Sequence, residues 1–248
     1  DKSRTYMNRI AWYSCYEKNP PDYDKALAYM ETLFKTVVPE RILWKDYYYL
    51  ARILLKKNQD YPKMIDELTS LRQQLEKENA RYSLASTAAE KSKIKVTVDD
   101  LTGKVVKQKT DLANADTEID RAFGEYAKVL NLKPGDKNLL SEIATNYYNY
   151  KRYEGAARTW SKLLDPAKDN TDELMRIGRT YYSGEKYKTA DSVFSAISKN
   201  SPGYIPAYQW IANTYTKMDP DTKLGLAKPK FEKLIAAAMV DSVKNSAA

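Results

Sequence analysis

Residues 174–202, LMRIGRTYYSGEKYKTADSVFSAISKNSP, decide the fold. Leu174, Ile177, Gly178 and Tyr181 recur at i, i+3, i+4 and i+7, one face of an α-helix. Ser183-Gly184-Glu185-Lys186 reads as a turn. A second helical face follows at Tyr187, Ala190, Phe194 and Ile197, and Ser201-Pro202-Gly203 stops it. The small residues Gly178 and Ala190 let the two backbones approach closely, while Tyr181 and Phe194 fill the space beside that contact. One such pair cannot bury its own apolar face, so neighbours must stack on it.

The neighbours are present in the sequence. Tyr126, Trp160 and Phe194 stand 34 residues apart, as do Ala122, Ala156 and Ala190, and Tyr147, Tyr181 and Tyr215. Tyr153 and Tyr187 keep the same register. This pattern resembles the tetratricopeptide repeat, whose motif runs W-x-x-L-G-x-x-Y, then a small residue, an aromatic and a closing Pro. The best match is Leu174, Ile177, Gly178, Tyr181, Tyr187, Ala190, Phe194 and Pro202. The preceding repeat carries Leu140, Ile143, Ala144, Tyr147, Tyr153, Ala156 and Trp160. The last has Tyr208, Ile211, Ala212 and Tyr215, three extra residues around Asp219-Pro220-Asp221, then Ala227 and Phe231.

The first half is more degenerate but keeps the register. Ile10 and Ala11 lead to Tyr23, Ala26, Met30 and Leu33; Tyr47, Leu50, Ala51 and Leu54 lead to Tyr61, Met64, Leu68 and Leu71. Residues 81–90, with Leu84, Ala85 and Ala88, read as the first helix of a third repeat whose second helix carries Ala122. The expectation is therefore all-α: an α-solenoid of about six helix-turn-helix repeats, a single superhelical domain over residues 1–248.

The third repeat is split by an insertion at 91–115. There Ile94, Val96 and Val98 alternate with Lys95 and Thr97, a period of two. Asp99-Asp100-Leu101-Thr102-Gly103 supplies a turn and Lys104-Val105-Val106-Lys107 a returning strand, so the insertion reads as a small β-hairpin. The competing reading lengthens both flanking helices into a coiled hairpin, with Tyr82 opposite Ile119 and Ala89 opposite Leu112. Residues 91–109 hold six Lys against two Asp. That excess suits a phosphate or anionic-lipid contact, or simply a solvated edge that discourages aggregation.

Composition excludes several function classes. The chain has 248 residues, 43% hydrophobic, with one Cys, no His and a net charge of +8. Without imidazole there is no Ser-His or Cys-His nucleophile pair and no HExxH zinc site. Cys15 alone forms no internal disulfide and reads as a packing residue. The Ser92-x-x-Lys95 and Ser183-x-x-Lys186 spacings lack the supporting motifs of a Ser-Lys enzyme. No Gly-rich phosphate loop is present, and no apolar run approaches the roughly 20 residues of a membrane span. The expected protein is not an enzyme and carries no cofactor or metal. It begins at Asp1 without Met, as a fragment or processed form would.

The resemblance implies that first helices of successive repeats line a concave groove. The candidate groove residues are Trp12, Tyr16, Tyr48, Arg52, Asn138, Thr145, Tyr148, Asn149, Met175, Arg179, Tyr182, Gln209, Asn213 and Lys217. Their types anchor peptide interfaces by stacking and amide-directed hydrogen bonds. The expected function is a non-enzymatic interaction scaffold holding a protein or peptide ligand. The alternatives are a helical-repeat RNA binder, disfavoured by abundant acids, and a scaffold region of a larger envelope assembly. The run from Asp219 to Lys233 resembles the last repeat of exported multi-repeat proteins of Gram-negative bacteria, which implies a periplasmic or envelope-associated protein, with a cytoplasmic one as the alternative.

Overall fold

A computed structural model describes the backbone of residues 2–246 and the side chains of residues 6–240. Every regular element among the described residues is helical. The chain divides into two compact units, 1–134 and 135–248. The first holds α1 (Lys2–Glu17), α2 (Tyr23–Thr36), α3 (Trp44–Lys57), α4 (Tyr61–Leu84) and α5 (Ala88–Leu132). The second holds α6 (Lys137–Asn149), α7 (Tyr153–Ser161), α8 (Thr171–Ser183), α9 (Tyr187–Asn200), α10 (Ile205–Met218) and α11 (Lys228–Ser246).

In the second unit each helix packs on the next. The 34-residue period is visible atom by atom. Lys151 and Glu185, one period apart, both take φ of 58°. The N–H of Arg152 donates to the Tyr147 carbonyl at 2.8 Å, and that of Lys186 to the Tyr181 carbonyl at 2.9 Å. Beside these turns the Tyr148–Tyr153 and Tyr182–Tyr187 rings meet at 5.4 Å with interplanar angles of 72° and 70°. The left-handed residue is not the glycine: Gly184 precedes it, and a Cβ there would stand 2.9 Å from the Tyr153 Cβ. Gly178 is small for the expected reason, since its Cβ would fall 2.4 Å from the Phe194 ring. Ala144, Gly178 and Ala212 form one such column, and Ala156 and Ala190 another. The longer turn after α10 is built on the buried Asp219 carboxylate, which accepts the N–H groups of Leu224 and Leu226.

The first unit departs from the expected pattern. α1 pairs with α2, and α2 packs on α3. Asp46 of α3, its side chain 3% exposed, accepts Arg9 Nε and Nη2 at 3.0 and 2.6 Å and the Leu43 N–H at 2.8 Å. α5, 45 residues long, packs along α3 with its C-terminal part and along α4 with its N-terminal part. The antiparallel register is marked by Tyr48 on Tyr126, Lys57 with Glu118, Tyr61 with Asp116, and Gln108 Nε2 donating to the Met64 carbonyl at 3.2 Å.

Residues 91–115 are thus not a β-hairpin; they lie inside α5. The period that governs them is the heptad. Ile94, Val98, Leu101, Val105, Gln108, Leu112, Ala115 and Ile119 alternate steps of four and three and face inward. Within 91–110 every residue off that row is exposed. On α4 the matching row is Tyr61, Met64, Leu68, Leu71, Leu75 and Glu78, all buried or half-buried. A coiled hairpin does form, but its turn lies at 85–87 instead of near residue 101, so Leu112 comes level with Tyr61 and not with Ala89. Residues 81–90 are the tip of this arm, not the first helix of a repeat. Among the described residues the pairing of α3 with the end of α5 makes five helix pairs instead of about six, one of them interrupted by the arm α4–α5.

Candidate functional site

In the second unit the exposed faces of α6, α8 and α10 carry most of the expected groove residues. Asn138, Thr145, Asn149, Arg179, Gln209 and Lys217 are exposed, Tyr148 is 41% exposed, and Asn213 is half-buried. Thr145 turns its hydroxyl back to the Ser141 carbonyl at 2.8 Å. Tyr182 is half-buried, with its ring against Tyr187 and, at 5.1 Å, against Trp210. Met175 is 3% exposed and belongs to the core with Phe194 and Ile211, so it lines nothing open.

The residue taking that open place is Arg176, which the sequence pattern missed. Its guanidinium lies 4.7 Å from the centre of the Trp160 ring, and the Tyr148 ring meets the same indole at 5.8 Å. Arg179, one turn on, uses only Nε, toward the Met175 carbonyl at 3.3 Å. Neither arginine has an ion-pair partner among the described residues, so both forks keep N–H donors for an incoming group. The stack on Trp160 holds one of them planar and oriented. The missed signal was faint: one period away from Arg176 stand Glu142 and Trp210, so its column shows no common residue type.

In the first unit the expected residues gather but are mostly closed over. Trp12 is 5% exposed and Tyr48 is buried. Tyr49, also missed, joins them: its ring lies 4.8 Å from Trp12, 5.2 Å from Tyr48 and 5.9 Å from Tyr16. Arg52 stacks over Tyr16 and Tyr48 and donates to the Tyr48 hydroxyl at 3.0 Å. Burial pushes the Tyr16 phenol above its ordinary pKa, and the Arg52 charge pulls partly back. This cluster is an aromatic core with a guanidinium at its edge.

No family model matches the chain, and no curated protein matches it. Among solved structures it is similar to the C-terminal part of a TPR repeat-containing protein from Cytophaga hutchinsonii. Identity is 23%, the match covers 95% of this chain and 67% of that one, and the TM-score is 0.40. A score of that size transfers no arrangement of helices. The resemblance rests on this chain's own columns, turns and helix pairs. What the described residues show is an all-helical fold of antiparallel pairs, with a 34-residue period in the second unit.

Proposed function

We propose that the protein is a non-enzymatic interaction scaffold and that the open face of α6, α8 and α10 holds a protein or peptide ligand. The observation that carries this reading is the exposed pair Arg176 and Arg179, without ion-pair partners, with Arg176 stacked on the nearly buried Trp160, whose ring also meets the half-open Tyr148. An aromatic held rigid next to oriented guanidinium donors matches the residue types that dominate protein interfaces. Asn138, Asn149 and Gln209 on the same unit add exposed amides, each able to donate to and accept from a peptide backbone.

The test is affinity capture from native lysate by the chain and by an Arg176→Glu, Arg179→Glu variant. Both sites are exposed, so the variant is expected to keep its helical content and melting temperature while losing the captured partner. Tyr182 is unsuited to such a test because its ring packs on Trp210. Capture that survives the double charge reversal removes the face from consideration.

A further inference from the structure

The arm ends in a feature that the repeat architecture does not require. Residues 84–89, Leu-Ala-Ser-Thr-Ala-Ala, form a tip without a single charge. Leu84 at its apex is 83% exposed, and Tyr82 behind it is 37% exposed. The turn is otherwise well made: the Thr87 hydroxyl accepts the Glu90 N–H, and the Ala85 N–H reaches the Arg81 carbonyl. An apolar side chain is therefore left in water where the turn gains nothing from it.

Behind the tip stands a basic collar. Lys91, Lys93 and Lys95 are exposed on α5 and Lys77 on α4, and none has an ion-pair partner among the described residues. At about 100° per residue Lys91 and Lys95 lie on one face, about 40° apart, and Lys93 lies about 200° from Lys91, so the three flank α5 on opposite sides. The acids nearby are Glu76, Glu90 and Glu78, the last held by Arg81 at 2.8 Å. Over 76–95 there are five basic residues against three acidic.

We infer that the tip of the α4–α5 arm docks on an anionic lipid surface, with Leu84 entering the interface and the lysine collar meeting the phosphates. The dimensions agree. At about 1.5 Å per residue Lys91 lies about 6 Å behind Thr87 and Lys95 about 12 Å. The headgroup layer of one leaflet is about 5–8 Å deep. An uncharged tip can thus sit in that layer while the collar stays at its outer edge, with long lysine stems allowing the amines to reach back. An exposed Leu adds nothing to a nucleic-acid phosphate contact, which is why a bilayer is favoured over DNA or RNA.

The experiment uses the whole chain and vesicles of phosphatidylglycerol and phosphatidylcholine in equal parts, with pure phosphatidylcholine as control. The chain is expected to sediment with the anionic vesicles only. Each lysine near such a surface contributes about fivefold to the binding constant. Lys91→Glu, Lys93→Glu and Lys95→Glu together should weaken binding by at least 100-fold on that scale, and Leu84→Asp by about tenfold. All four positions are exposed, and unchanged helicity checks the fold. A Leu84→Cys variant in a Cys15→Ser background, labelled with an environment-sensitive dye, should shift to the blue on anionic vesicles. The inference is overturned if the two vesicle types bind equally, if neither binds, if the dye does not shift, or if a duplex oligonucleotide is held through the same lysines while vesicles are not.

Discussion

The second unit and the α4–α5 arm are both built from antiparallel helices, yet they bury their apolar residues in different ways. In the second unit the helices are 9 to 19 residues long, and each interior helix packs on the one before and the one after. Phe194 there is fully buried between the Gly178 backbone and the Trp210 ring, which stacks on it at 5.7 Å. In the arm the helices are longer, but over 91–110 α5 buries one heptad row and leaves every other residue exposed. Helix length therefore says little about local stability. What matters is how many neighbours each helix has.

The comparison breaks most visibly at Phe194. Phe194→Ala removes a fully buried ring from a contact shared by three helices, and is expected to cost about 3–5 kcal/mol. Amide exchange should accelerate together across α8, α9 and α10, since these share that core. A loss confined to α9 would show that the pairs are less interlocked than their packing indicates.

Leu101→Ala is the matching change in the arm. Leu101 is buried against a single partner helix, and its truncation is expected to cost about 2 kcal/mol. Faster exchange should stay within 61–84 and 88–112, leaving the second unit as it was. An effect as large as that of Phe194→Ala, or one reaching the second unit, would sink the distinction.

These two regions also differ in how far the sequence alone revealed them. The second unit was legible because its columns repeat residue types: Ala156 and Ala190, Tyr147, Tyr181 and Tyr215, Tyr153 and Tyr187. The arm was misread over 94–107, starting where Ile94, Val96 and Val98 alternate as a strand would. The longer spacing from Ile94 through Val98, Leu101, Val105 and Leu112 overrides it, and Val96, 70% exposed, is the residue that fits neither side of the seam. Gly103 suggested a hairpin turn but sits on the open side of α5, where a Cβ would meet nothing. A helix tolerates it at about 1 kcal/mol. At the candidate face the error was rotational. Met175 and Arg176 differ by one position, about 100° around the helix, and only the packing shows which of them faces out.

A smaller effect of opposite sign is expected at the polar positions of the seam. The Gln108–Met64 bond sets a register that brings Glu78 level with Ile94. Glu78 is largely buried there and held by Arg81. A polar residue in a coiled-coil seam fixes register at the expense of stability. Glu78→Leu should stabilise the arm by about 1 kcal/mol, read as slower exchange in 71–101. If exchange accelerates instead, the Glu78–Arg81 pair contributes more than the seam would gain.

The smallest expected effect lies where the repeat pairing of α3 ends and the arm begins. Glu118 on α5 accepts Asn58 Nδ2 at 2.7 Å and Lys57 Nζ at 2.9 Å. Partial burial pushes its carboxyl pKa up, but these hydrogen bonds and the charges of Lys57 and Arg121 outweigh it, so the net shift is downward. A carboxyl lowered in the folded state contributes stability above its unfolded pKa and loses it as pH falls through the folded value. The network is partly exposed, so its contribution stays below about 1 kcal/mol. Glu118→Gln should lower the melting temperature slightly at neutral pH, and the gap from the parent chain should close once the carboxylate is protonated. A gap that is unchanged in acid would mean that shape, rather than charge, joins α3 to α5 at this point.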